Sequence, residues 1–149
     1  MRAVIQRVSR ARVTVDGVVT GEIAAGLVIL IGVGRDDTSA VAVTMAEKIA
    51  NLRIFDDEQG KMNRSLLDVK ASAQVVSQFT LYGDARGQRR PSFIAAALPE
   101  QARTVYEEFS GALRKLGVTV ATGVFQSRMS VELVNEGPVI ILLDSDKLF

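Results

Sequence analysis

Two runs rich in β-branched residues, 2–15 and 18–23, are separated only by Asp16-Gly17. An Asp-Gly pair in that setting is the strongest short signal for a two-residue hairpin, because both positions of such a turn require positive φ. The chain therefore opens with an antiparallel pair, in which Ala11, Val13 and Val15 alternate with Arg10, Arg12 and Thr14, and the second strand closes before Gly26. The next run, Leu27-Val28-Ile29-Leu30-Ile31-Gly32-Val33, does not alternate. Both its faces need cover, so it reads as a central strand with a helix on one side and a second chain as the candidate cover on the other.

Thr38 or Ser39 can cap a helix whose apolar positions Val41, Met45, Ile49 and Leu52 follow helical spacing into Arg53-Ile54-Phe55. Residues 56–65 are polar and turn-like, 73–80 read as a buried strand, and a loop over 83–92 carries Arg86, Arg89 and Arg90. A second helix begins at Pro99. It places Ala102, Val105, Phe109, Leu113 and Leu116 on one stripe, with Arg114 and Lys115 at its negative end and Gly117 as the cap. Strands over 118–125, 129–134 and 139–144 complete a single domain, 1–149, without repeats or linkers. The expected fold is mixed α/β (α+β): a curved, barrel-like mixed β-sheet with two main helices packed on it. The longest apolar run is far too short to span a membrane and the N-terminus lacks a signal-peptide core, so a cytoplasmic protein with no membrane partner is expected.

The sequence contains no Cys and no His. A thiolate nucleophile, an imidazole base and an ordinary zinc site are thereby excluded, and the expectation is an activity with no metal and no cofactor. Chemistry is left to carboxylates, hydroxyls, Lys, Tyr, backbone N–H groups, or a reactive group on the substrate. The net charge of +1 supplies no global field for a polyanion, so contact with nucleic acid would need local Arg clusters.

Gly32-Val33-Gly34-Arg35-Asp36-Asp37 superficially suggests a phosphate cradle, but it lacks a third glycine and a Gly-Lys-Ser/Thr, and its two acids would repel phosphate. A tight strand-to-helix turn is the simpler reading. The pairs Asp36-Asp37, Asp56-Asp57 and Glu107-Glu108 read as solvated surface. Ser77-Gln78-Phe79-Thr80-Leu81-Tyr82 is less ordinary, because polar groups interrupt a buried strand at its end. Hydroxyls satisfying local backbone groups would explain it. Asn135-Glu136-Gly137-Pro138 reads first as a hairpin loop, although Gly before Pro also permits unusual backbone geometry, including a cis bond.

Taken together, SQFTL at 77–81, NEGPV at 135–139, the opening MRAVIQRV and the loop GQRRPSF at 87–93 make the whole chain resemble the D-aminoacyl-tRNA deacylases. The resemblance implies a homodimer that hydrolyses the ester between a D-amino acid and tRNA. It also implies that a Gly-cis-Pro motif, here Gly137-Pro138, enters the partner's active site and rejects L-amino acids. Ser77, Gln78, Phe79 and Thr80 would line the catalytic pocket, and Arg7 would buttress the motif by hydrogen bonding. Glu136 stands where the family usually has Asp, and Ile140 where it often has Thr. An animal-type relative carries Pro-Gln-Ala-Thr-Leu and a trans Gly-Pro, so Ser77 and Phe79 place this chain on the D-specific side.

The implied mechanism suits a chain without His or Cys: a vicinal hydroxyl of the terminal ribose, or a water it positions, supplies the reactive group, and amides near Phe79 and Thr80 stabilise the oxyanion. Glycyl-tRNA, lacking a β-carbon, becomes an expected side substrate. Arg86, Arg89 and Arg90 are candidate phosphate contacts, or simply a solvated loop. The alternative from another class is a non-catalytic tRNA-binding module on the same fold.

Overall fold

In the computed structural model, which describes residues 1–149, Asp16 and Gly17 sit at φ 48° and 80° and join β1 (Arg2–Val15) to β2 (Val18–Ile23). The hairpin therefore forms as its sequence predicts. In chain order there follow β3 (Gly26–Gly32), α1 (Ser39–Ala50), β4 (Phe55–Asp56), β5 (Met62–Arg64), α2 (Leu66–Val69), β6 (Ser72–Ser77), α3 (Pro99–Lys115), β7 (Thr119–Thr122) and β8 (Ser130–Asp144). The sheet order is β2-β1-β3-β6-β7, with β8 on β1. β1 pairs antiparallel with β2, β3 and β8, whereas β3-β6 and β6-β7 are parallel, so the sheet is mixed. β2 folds back over β6 and β7: a Cβ on Gly21 would lie 2.5 Å from the Thr122 carbonyl and 2.9 Å from the Gln74 amide. Only glycine allows that approach, which nearly closes the sheet into a barrel.

The main core lies between the sheet and the helices. Ile5, Leu27, Ile29 and Ile31 meet Met45 and Ile49 of α1 and Phe109 and Leu113 of α3. Each such side chain contributes roughly 1.5–3 kcal/mol by leaving water. A second cluster, Val8, Ala11, Ile23 and Val28, fills the barrel. The second face of β3 is thus covered at Val28 by the barrel's own interior, while Leu30 on that face stays half-buried.

Four local expectations are corrected. Residues 56–65 are not only turn: β4 and β5 form a ribbon, closed by Asp57, whose carboxylate accepts the amides of Gln59 (2.9 Å) and Lys61 (3.0 Å) and is held below its ordinary pKa by them. Ser65 and Asp68 then cap α2 reciprocally. The strand expected over 73–80 ends at Ser77. Asn135–Pro138 is no hairpin loop, because 130–144 is one continuous strand along β1, bulged where residues 136–139 face Arg7 alone. Pro138, which has no N–H to donate, is tolerated in that bulge. Finally, Asp37 is not solvated. It is buried, pairs with the Met1 ammonium and accepts the Gly34 amide at 2.6 Å.

Candidate functional site

The site begins where β6 stops. Ser77 is its last paired residue, opposite Ile31, and the Gln78 amide donates to the Ile31 carbonyl at 2.7 Å. Gln78, at φ −142° and ψ 79°, then turns the chain into a 3₁₀ turn, Phe79–Tyr82. The Leu81 amide donates to the Gln78 carbonyl at 3.2 Å. The amides of Phe79 and Thr80 precede that bond, in the positions where a helical turn leaves its N–H groups free. Phe79 and Thr80 are exposed, and the Gln78 side-chain amide donates to the Thr80 hydroxyl. No carboxylate or amine contacts that hydroxyl, so no base stands ready to activate it.

Ser77, Gln78 and Phe79 form one wall of a cleft of about 650 Å³, a size suited to a small organic group. Phe93, Ala97 and Leu98 supply a second wall, and Phe125, Gln126 and Met129 a third. The Phe93 ring meets Phe79 edge-on at 5.1 Å. These second and third walls were not legible as site residues. Gln126, for example, holds φ 62°, a left-handed value that a sequence does not announce in a residue other than glycine. The glycines of the 32–34 turn serve packing: a Cβ on Gly34 would lie 2.6 Å from the Tyr82 hydroxyl.

Gly137, Pro138 and Arg7 line no part of this cleft. Gly137 and Pro138 are exposed on the β8 bulge, joined by a cis peptide bond. Arg7 is buried beside them, with a guanidinium nitrogen 2.8 Å from where a Gly137 Cβ would sit. Its hydrogen bonds run to the Ile54 carbonyl (2.8 Å) and to Asp56 (3.2 Å), so Asp56 too is more than solvated surface. The structure thus groups the seven residues into two sets: Ser77, Gln78 and Phe79 line the cleft with Thr80 next to them on the 3₁₀ turn but outside its lining, and Arg7 lies with Gly137 and Pro138 on the bulge.

In the 83–92 loop, Arg86 grips Asp84 in a two-pronged pair at 2.9 and 2.7 Å, which drives the Asp84 carboxyl well below its usual range. Arg89 and Arg90 remain as the loop's unpaired charges. No group of three or more acidic side chains gathers to hold a metal ion, and no helix is long and apolar enough to cross a membrane.

Comparison with known proteins places these features. A relative named D-aminoacyl-tRNA deacylase from Symbiobacterium thermophilum is 58% identical over 149 residues, covering 100% of this chain and 99% of its own length. One of the same name from Thermus aquaticus is 57% identical over 99% of this chain and 97% of its own. Among solved structures, one described as c-Myc DNA Unwinding Element Binding Protein superposes with a TM-score of 0.90 at 39% identity, over 97% of this chain and 98% of that one. A probable eukaryotic D-amino acid tRNA deacylase shares the fold, with a TM-score of 0.83 at 17% identity over 95% and 97% of the two chains. The family model described as D-Tyr-tRNA(Tyr) deacylase matches residues 4–144, and the chain belongs to that family.

Proposed function

We propose that this protein hydrolyses the ester between a D-amino acid and the terminal ribose of tRNA, acting in the cytoplasm as a homodimer. The observation that carries this reading is the abrupt exit of β6 at Ser77, which presents two unbonded backbone amides, on Phe79 and Thr80, beside a cleft of aminoacyl size. Donors fixed by the backbone stabilise a developing oxyanion without reorganising and without titrating. With Thr80 held by an amide and no base at hand, the nucleophile is a water oriented by the free vicinal hydroxyl of the ribose: its oxygen enters the released carboxylate as the ester C–O bond breaks, and its proton passes to the leaving ribose oxygen.

Gly137 and Pro138 complete the site from a second copy. Their exposure on a bulge, and their absence from the cleft of their own chain, support that arrangement. Their carbonyls receive the substrate ammonium, and their bulk occupies the space an L side chain would need, so specificity comes from rejection. Glycine has no side chain to reject, and glycyl-tRNA is a side substrate. Arg89 and Arg90 contact tRNA phosphates.

Deacylation of matched D- and L-tyrosyl-tRNA tests the activity: release of D-tyrosine alone is expected, and equal rates or no release would refute it. Replacing the free ribose hydroxyl by hydrogen is expected to abolish turnover while binding persists. Full turnover of the deoxy substrate would return the activation of the nucleophile to the protein.

A further inference from the structure

Arg2, the first residue of β1, reaches across to the turn that leaves β6. Its Nε donates to Asp144 Oδ2 at 2.9 Å, its Nη1 donates to the Leu81 carbonyl at 3.0 Å, and its guanidinium carbon lies 4.5 Å from the centre of the Tyr82 ring. Asp144 is buried, and its other oxygen accepts the Asp146 amide at 2.7 Å, so the guanidinium is anchored from behind. Leu81 and Tyr82 are the second half of the 3₁₀ turn whose first half carries the amides of Phe79 and Thr80. On its far side Tyr82 is held as well. Its hydroxyl donates to Asp37 Oδ2 at 3.4 Å, and the same oxygen accepts the Gly34 amide. The backbone around Gly34 in turn positions the opposing wall, through Arg35 to the Ala95 carbonyl at 3.2 Å and Ala97 to the Val33 carbonyl at 2.9 Å. None of Arg2, Tyr82, Asp37 and Asp144 lines the cleft.

We propose that Arg2, anchored by Asp144, is a positioning residue for the hydrolysis: it fixes the 3₁₀ turn at Leu81 and Tyr82 so that the Phe79 and Thr80 amides stay aimed at the substrate carbonyl. The proposal rests on the deacylase reading above. One planar guanidinium serves a carboxylate, a carbonyl and an aromatic face at once, which the single ammonium of Lys cannot do. A donor that drifts loses contact with the oxyanion but not with the ground-state ester, so the loss falls on kcat and not on KM.

The test compares Arg2→Met, Arg2→Lys and Asp144→Asn with Arg12→Met, which also breaks a β1–β8 ion pair, to Glu132, at 2.7 Å. Thermal unfolding and steady-state kinetics on D-tyrosyl-tRNA are measured where every variant is folded. Arg2→Met is expected to lower kcat by about tenfold to a hundredfold while KM moves by less than about twofold. Arg2→Lys should fall between it and the wild type, Asp144→Asn should shift kcat the same way, and Arg12→Met should leave kcat unchanged. A merely structural role predicts a lower unfolding temperature with kcat retained, and that result overturns the proposal, as does a rise in KM matching any loss. If Arg2→Met does not fold, undiminished kcat in Arg2→Lys and Asp144→Asn overturns it equally. A wild-type protein inactive on D-tyrosyl-tRNA removes the deacylase reading and this proposal together, whereas an active wild type with an unaffected Arg2→Met removes only this one.

Discussion

A β-carbon at position 137 would lie 2.8 Å from an Arg7 guanidinium nitrogen and 2.9 Å from Val139 Cγ2, at a φ of 112° that L side chains rarely adopt. Gly137→Ala is therefore expected to displace the bulge and to lower deacylation of D-tyrosyl-tRNA and glycyl-tRNA alike, without admitting L-substrates. Parallel assays on the three esters check it, and a gain of L-activity would contradict the rejection model. Thr80→Ala removes only a hydroxyl that Gln78 holds, so kcat should stay within about tenfold of the wild type, in contrast to the far larger loss that deleting a true nucleophile causes. Gln74 raises a question of stability. It is fully buried on β6 with both ends of its amide unpartnered. Gln74→Met keeps the length and removes two desolvated polar groups, and thermal denaturation should show a gain of about 1–3 kcal/mol. The sequence shows Gln74 inside an apolar run but cannot show what surrounds it. The same limit applies to Asp37, whose burial depends on Tyr82 and the Met1 ammonium, both remote in sequence.

Helix α3 was the most legible element, because its apolar stripe, Pro99 and Gly117 are all local signals, and Gly117 does cap it at φ 94°. The β8 bulge was not legible. A strand, a turn-forming Asn-Glu-Gly-Pro and another strand usually spell a hairpin, and only the 14-residue β1 alongside keeps the two halves collinear. Long-range pairing there overrides local turn chemistry. The 3₁₀ turn was masked for a similar reason: Phe79, Thr80 and Leu81 suit a strand, and the sheet simply ends before them. α3 also pins β6, through the Tyr106 hydroxyl on the Val75 carbonyl at 3.0 Å, two residues before Ser77. Burial pushes the Tyr106 phenol up to about 12 and that of Tyr82 upward too, with Asp37 adding to the latter. A raised folded-state pKa means that the stability these phenols contribute is complete below their unfolded value near 10 and is lost as pH climbs through the folded value. Unfolding temperature should therefore fall between about pH 10 and 12, and Tyr106→Phe should flatten that fall while costing about 1–3 kcal/mol at neutral pH for the orphaned carbonyl. A slope unchanged in Tyr106→Phe would assign it elsewhere.

The outer face of β8 shows Val134, Ile140 and Leu142 to solvent, on the same strand that presents Gly137 and Pro138. Apolar groups spaced along one strand face are what a second copy would cover, and the bulge would then project from the joint towards the other cleft. Whether a site draws its Gly-Pro from its own chain or its partner's can be decided by mixing defects. Gly137→Ala spoils the motif and leaves the cleft intact, whereas Ala97→Trp fills the cleft and leaves the motif intact. Either variant alone should be inactive. If the two halves come from different chains, a mixed dimer holds one fully competent site: the cleft of the first chain with the motif of the second. Random pairing of the coexpressed chains makes half the dimers mixed, each with one working site of two, so roughly a quarter of wild-type activity should return. If each chain completed its own site, every chain in the mixture would carry a defect and no activity would return. Sedimentation of both variants as intact dimers keeps that negative result decisive.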